Sequence, residues 1–213
     1  MFMNRSRLAG VALLVGGVLA IAGYTAASAA AGWTGWTGDA RFTNPLWIPL
    51  YSVALAGNLL VVLGLPVILS AHGGLAYRLT TVGFAGTLLA MVMLNIGEGT
   101  TEGYVKPYLV AHGGIPQQMP GFNGFILVGL VAILIGLTSL GIAVIRARVF
   151  PVWVGILFLV AVPLGIIQLP GQLGQLGDDA FFLALVVTGW SVAFGQTTTE
   201  KHREELRATE AVG

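Results

Sequence analysis

Six long apolar runs, broken by short polar interruptions, dominate the chain. They cover about residues 8–31, 46–71, 79–97, 125–145, 151–169 and 180–195. A helix needs about 20 apolar residues to cross the hydrocarbon core, and there its backbone groups must be hydrogen-bonded internally. The pattern therefore predicts an all-α polytopic membrane protein: a bundle of six transmembrane helices followed by a short charged tail at 196–213. In that tail Thr197 and Glu200 have capping-box spacing, and Lys201 and Glu205 stand at i, i+4. It reads as a short solvated helix or as a docking helix for a cytoplasmic partner.

The basic residues between the runs sort by side. Arg5, Arg7, Arg78, Arg146, Arg148, Lys201, Arg203 and Arg207 fall on one side, and only Arg41 and Lys106 on the other. The positive-inside rule then puts both termini in the cytoplasm and makes 32–45, 98–124 and 170–179 external. The first run has a rival reading. Arg5 and Arg7 precede it and Ala27-Ser28-Ala29 closes it, which suits a cleaved signal peptide. Its length favours an uncleaved span, and either reading leaves the later topology unchanged. Trp33, Trp36 and Trp47 fall at the expected outer interface and Trp153 at the inner one, as an aromatic belt would. The tandem Gly-Trp-Thr-Gly-Trp-Thr-Gly at 32–38 reads as interfacial anchoring.

Composition narrows the classes further. Hydrophobic residues make up 56% of the 213 and charged residues 9%, with a mean hydropathy of +0.87. A soluble domain carries about 25% charged residues, so a soluble fold and disorder are both excluded. A net charge of +1 leaves no electrostatic footprint for nucleic acid. The chain has no cysteine, hence no disulfide and no thiolate chemistry. No nucleotide-binding loop, nucleophile elbow or zinc-protease motif occurs, so neither cofactor nor metal is expected. The general look resembles the small multi-spanning proteins of bacterial membranes, which implies a multi-pass protein of the plasma membrane, here a bacterial inner membrane.

Small residues mark packing faces. Gly129, Ala132, Gly136, Ser139 and Ala143 form a seam on the fourth run, and Ala9, Ala12, Gly16, Ala20, Gly23 and Ala27 repeat it on the first. Lipid offers helices no hydrophobic drive to associate, so close backbone approach must supply dispersion contacts. These faces serve the bundle itself or a homo-oligomer. Pro66 and Pro163 should kink their helices. Pro45-Leu46-Trp47 and Pro151-Val152-Trp153 open the second span of each half, a weak hint of an inverted repeat. His72 and His112 both stand in Ala-His-Gly-Gly, on opposite sides by topology, and each reads as a helix stop.

Chemistry-bearing residues are few. No ionisable residue falls in the middle of a run, which argues against a proton pump or a carboxylate relay. Asn58 lies near the centre of the second run and either bonds a neighbouring helix or lines a polar cavity. Asn95, Glu98 and Glu102, spaced 3 and 4 apart, would share a face if the third helix continued, although Gly97, Gly99 and Gly103 speak against continuation. Asp178 and Asp179 are placed to cap the sixth helix, and Gln168, Gln172 and Gln175 approach the same outer surface. The outer candidates for catalysis are Glu98, Glu102, His112 and Asp179, and the substrate-binding candidates are Asn58 and Asn95. Two carboxylates with a histidine suit acid–base work or a divalent cation. In 98–124, Tyr104, Val105, Tyr108 and Leu109 suggest a short interfacial helix, which would make the loop a lid or partner surface.

Three functions stay open. First comes a non-catalytic subunit, sensor or envelope factor acting through lipid and protein contacts, with a membrane protein or a second copy as partner. Second is a small permease for a neutral or weakly polar solute, using Asn58 and the proline kinks. Third is a membrane enzyme with an outward carboxylate–histidine site.

Overall fold

A computed structural model describes residues 5–32, 39–72, 76–115, 121–167 and 171–195, with the side chains of 171 and 172 excepted. The 33–38 part of the tryptophan repeat, Gln168 and the 196–213 tail lie outside the described residues. The protein is all-α, and no strand occurs among the described residues. Its helices are α1 (Arg5–Ala30), α2 (Trp47–Gly64), α3 (Pro66–Ala71), α4 (Ala76–Ala90), α5 (Lys106–Ala111), α6 (Phe122–Ala147), α7 (Val152–Ile166) and α8 (Leu176–Phe194). Five helical runs are long and apolar enough to cross a membrane, so the chain is a polytopic membrane protein. The sixth, α7, has 15 residues, about 22 Å of helix at 1.5 Å per residue. It stops at Ile166, earlier than the expected boundary at 169, just beyond the internal Pro163.

The runs form a ring in which each packs against its neighbours: α1 against α2 and α8, α8 against α7, α7 against α6, and α6 against α4. The α4 run returns to α2 at one end and to α3 at the other, which closes the ring. Neighbours are antiparallel. Gly16 meets Gly57 and Val61, while Gly23 meets Ala54. Gly10 meets Gly189 and Ala193, and Gly83 and Gly86 meet Leu140 and Gly136. Both small-residue seams are spent inside the bundle: that of α6 faces α4, and that of α1 faces α2.

This winding gives the molecule two chemically different ends. Arg5, Arg7, Arg78, Arg146 and Arg148 gather at one. Asp39, Glu98, Glu102, Asp178 and Asp179 gather at the other, with Arg41 and Lys106. The interior towards the arginine-rich end is mainly apolar, filled by Leu13, Leu65, Leu137 and Leu140, with Phe158 and Phe182 nearer the middle and with His72 and Thr80 as buried polar exceptions.

The third helix differs most from expectation. It does not stop near Gly97 but stays helical from Ala76 to Ala111, through two π-wound stretches at Met91–Glu98 and Thr101–Val105. The expected long loop 98–124 thus shrinks to the residues after α5. Glycine weakens a helix where water competes for its backbone, whereas in hydrocarbon a broken helix has nothing else to bond to. The wide turns strain the ladder, and threonines patch it. Thr100 Oγ1 donates to Ile96 O at 2.6 Å and Thr101 Oγ1 to Gly97 O at 3.1 Å. The run ends where Gly113 and Gly114 take φ of 122° and 101°, as the Ala-His-Gly-Gly reading expects of His112. His72 ends α3 at the other end of the ring, buried against Phe150, with Nδ1 2.8 Å from Ile68 O.

Gly124 lies near the start of α6 with open space around it. Gly124→Ala should raise thermal stability by up to about 1 kcal/mol through helix propensity alone, read as a higher Tm in detergent. A lower Tm would mean that space is occupied.

Candidate functional site

The continued helix carries Asn95, Glu98 and Glu102 along the acidic end of the ring, and two quite different environments result. Glu102 is sealed. Its carboxylate accepts from Arg41 Nη2 at 2.9 Å and from Lys106 one turn along, and both Arg41 and Glu102 are buried. The Arg41 guanidinium lies 4.6 Å from the Phe42 ring centroid and 5.6 Å from that of Trp47. Trp47 Nε1 donates to Glu102 O at 3.0 Å. Trp47 is therefore no interfacial anchor, as its place in the sequence suggested, but a buried cover over the ion pair. Asn44 Nδ2 donates to Ala30 O at 2.7 Å and Ser52 Oγ bonds Tyr104 OH at 2.7 Å, further fastening this end.

Beside this plug and about two turns deeper lies a second polar group. Asn58 is wholly buried on α2, and its Nδ2 donates to the Tyr24 hydroxyl of α1 at 2.7 Å. Its Oδ1 is buried with no partner. The Tyr24 hydroxyl is also in side-chain hydrogen-bonding range of Asn95 and in electrostatic range of Glu98 and Asp178. A methyl at Gly99 would touch that hydroxyl at 3.7 Å, so Gly99 leaves the space beside it open. Tyr51 packs edge-on to Tyr24 with centroids 5.4 Å apart, and Phe182 lies 6.2 Å away on the other side. Gln175 reaches in from the turn before α8, its Nε2 donating to Ser28 Oγ and, at 3.3 Å, to Tyr24 O.

Asp178 is exposed in the first turn of α8, within electrostatic reach of Tyr24. Glu98, half-buried, lies within electrostatic reach of Asp178, Glu102 and Lys106. Tyr24, Asn58, Asn95, Glu98 and Asp178 thus form one polar group that runs from the wholly buried Asn58 to the exposed Asp178 at the acidic end, with Phe182 packed against Tyr24.

The sequence candidates divide accordingly. Asn58, Asn95 and Glu98 come together around the Tyr24 hydroxyl. Glu102 sits beside it, already held by two cations. Of the aspartate pair it is Asp178 that comes within electrostatic reach of Glu98, with Asp179 next to it in the same turn. Both lie in the first turn of α8, where they favour the helix dipole, and neither makes a side-chain cap. His112 is exposed at the end of α5, its ring stacked on Tyr108 at 4.1 Å and its Nδ1 2.8 Å from Tyr108 O. Sequence reasoning passed over Tyr24, whose only signal is a phenol inside an apolar run. Among the described residues no three His, Cys, Asp or Glu side chains are grouped to hold a metal ion.

No protein-family model, curated protein or solved structure matches the chain.

Proposed function

We propose that the protein is a small permease whose binding chamber is a recess lined by Tyr24, Asn58, Asn95, Glu98 and Asp178. One observation carries the reading: the Asn58 carbonyl oxygen is buried and unpartnered inside a polar group. A bare amide oxygen costs about 1–3 kcal/mol, and a solute that donates a hydrogen bond recovers it. Support comes from the winding of the third helix, since π-turns gather at functional sites, and here one carries Asn95 and Glu98. Six crossings, with α7 a short sixth, account for the antiparallel ring. The arginine-rich end faces the cytoplasm with both termini, and the chamber opens outward, in the plasma membrane, here a bacterial inner one.

The test is uptake of labelled small polar solutes by liposomes containing the full chain. Asn58→Ala should bring uptake down to that of protein-free liposomes while the variant inserts and elutes like the parent. Undiminished uptake would remove Asn58 from the chamber. No uptake of any solute, together with a stoichiometric membrane partner in a detergent pull-down, would favour the reading of a non-catalytic subunit.

A further inference from the structure

The chamber's own chemistry says what it would take, and this step rests on the permease reading above. The polar group carries a bare acceptor and two negative charges, and no cation that is not already paired. Asn58 Oδ1 is bare. One N–H of the Asn58 amide serves Tyr24. Glu98 and Asp178 bring two carboxylates. The basic side chains of this end are committed elsewhere: Arg41 and Lys106 both close on Glu102. Asp39, Glu98, Glu102, Asp178 and Asp179 are five carboxylates, against two cations at the same end. Two tyrosine rings at 5.4 Å and the Phe182 ring enclose the lower part, surfaces that suit the apolar side of a cation.

From these we infer that the chamber binds a small organic cation bearing N–H donors, such as a protonated primary amine. The charged end would meet Glu98 and Asp178, one N–H would satisfy Asn58 Oδ1, and the carbon part would lie against the aromatic rings. An anion would be repelled by Glu98 and Asp178, and both basic side chains of this end are drawn to Glu102. A divalent metal finds too few ligands, for no grouping of three His, Cys, Asp or Glu occurs among the described residues. A neutral solute could use Asn58 but would leave the two carboxylates uncompensated. The neutral substrate expected from sequence followed from treating the third helix as ended before Glu98; its continuation brings that charge inside.

The chain has no cysteine, so one introduced thiol is the only one. Asn95→Cys in full-length protein, in sealed vesicles, is treated from the acidic end with a cationic and an anionic methanethiosulfonate of similar size. Each rate is divided by that for free cysteine. The cationic reagent should react at least about tenfold faster, as a like-signed cleft concentrates counter-ions. Glu98→Gln and Asp178→Asn should each reduce that preference. Ethylammonium chloride should slow the labelling, while sodium chloride at equal ionic strength, ethanol and manganese(II) should not. Ser28→Cys, close to isosteric, provides a second reporter if Asn95→Cys does not fold. Equal rates for both reagents, or protection by ethanol as good as by ethylammonium, would overturn the cation assignment and leave the chamber standing. Labelling by neither reagent at either reporter would remove the chamber, and the permease reading with it.

Discussion

Glu102→Ala will destabilise the protein by about 3–5 kcal/mol, the usual penalty for removing one partner of a buried ion pair. The expected size follows from what is left behind. Arg41 is buried between Phe42 and Trp47 and cannot leave for water without dismantling the aromatic cover. Lys106 is only partly buried and can turn to solvent, so it adds little. Thermal unfolding in detergent reads the loss. The double variant Arg41→Met with Glu102→Met should lie much closer to the parent, because two apolar side chains replace a costly pair of charges. A loss under about 1 kcal/mol for Glu102→Ala would mean the pair behaves as an exposed one. That result would contradict a sealed plug beside the recess.

The second large effect concerns the seam between α1 and α2. A Cβ at Gly23 would fall 2.4 Å from Ala54 N, and one at Gly57 would fall 2.5 Å from Ala20 N. Both obstacles are backbone, so no side-chain rotation relieves them. Gly23→Leu should cost about 3 kcal/mol or more, at the upper end of overpacking penalties, because two helices must part. It should show as early elution and a lowered Tm. The α1–α2 contact also positions Tyr24 against Asn58, so solute uptake should fall with it. A variant that elutes and melts like the parent would show that α1 does not lie on α2 by this face.

Much of the architecture is legible in the sequence because hydrocarbon simplifies the problem. Where water is absent, apolar length fixes the helix, charge fixes the side and small residues fix the contact face. The α6 seam from Gly129 to Ala143 faces a neighbour in the bundle, as its spacing suggests. The third helix was misjudged because aqueous propensities were applied to Gly97, Gly99 and Gly103. The difference bears on function. With the helix ended at 97, Glu98 and Glu102 look like solvated loop acids and the interior looks uncharged. With it continued, Glu102 becomes a structural counter-ion and Glu98 joins the polar group around Tyr24. Trp47 was misplaced for a related reason: position along the chain gives depth, but not whether a ring faces lipid or Arg41. Asp178 and Asp179 cannot be told apart in sequence, since which of them comes within reach of Glu98 depends on the phase of α8. Asn58 and Asn95 could be singled out, because an amide in an apolar run must find a partner; that the partner is Tyr24 depends on how α1 and α2 pair.

The central claim is that a polar chamber opens at the acidic end and closes beneath Asn58. Single cysteines at two depths of one helix measure it most directly. Asn95 belongs to the polar group around Tyr24, whereas Thr87, about two turns deeper, is buried against Gly136. In oriented vesicles, a membrane-impermeant thiol reagent should modify Asn95→Cys from the acidic end alone and Thr87→Cys from neither end. An inert Asn95→Cys, or one that reacts only from the arginine-rich end, would contradict the chamber described.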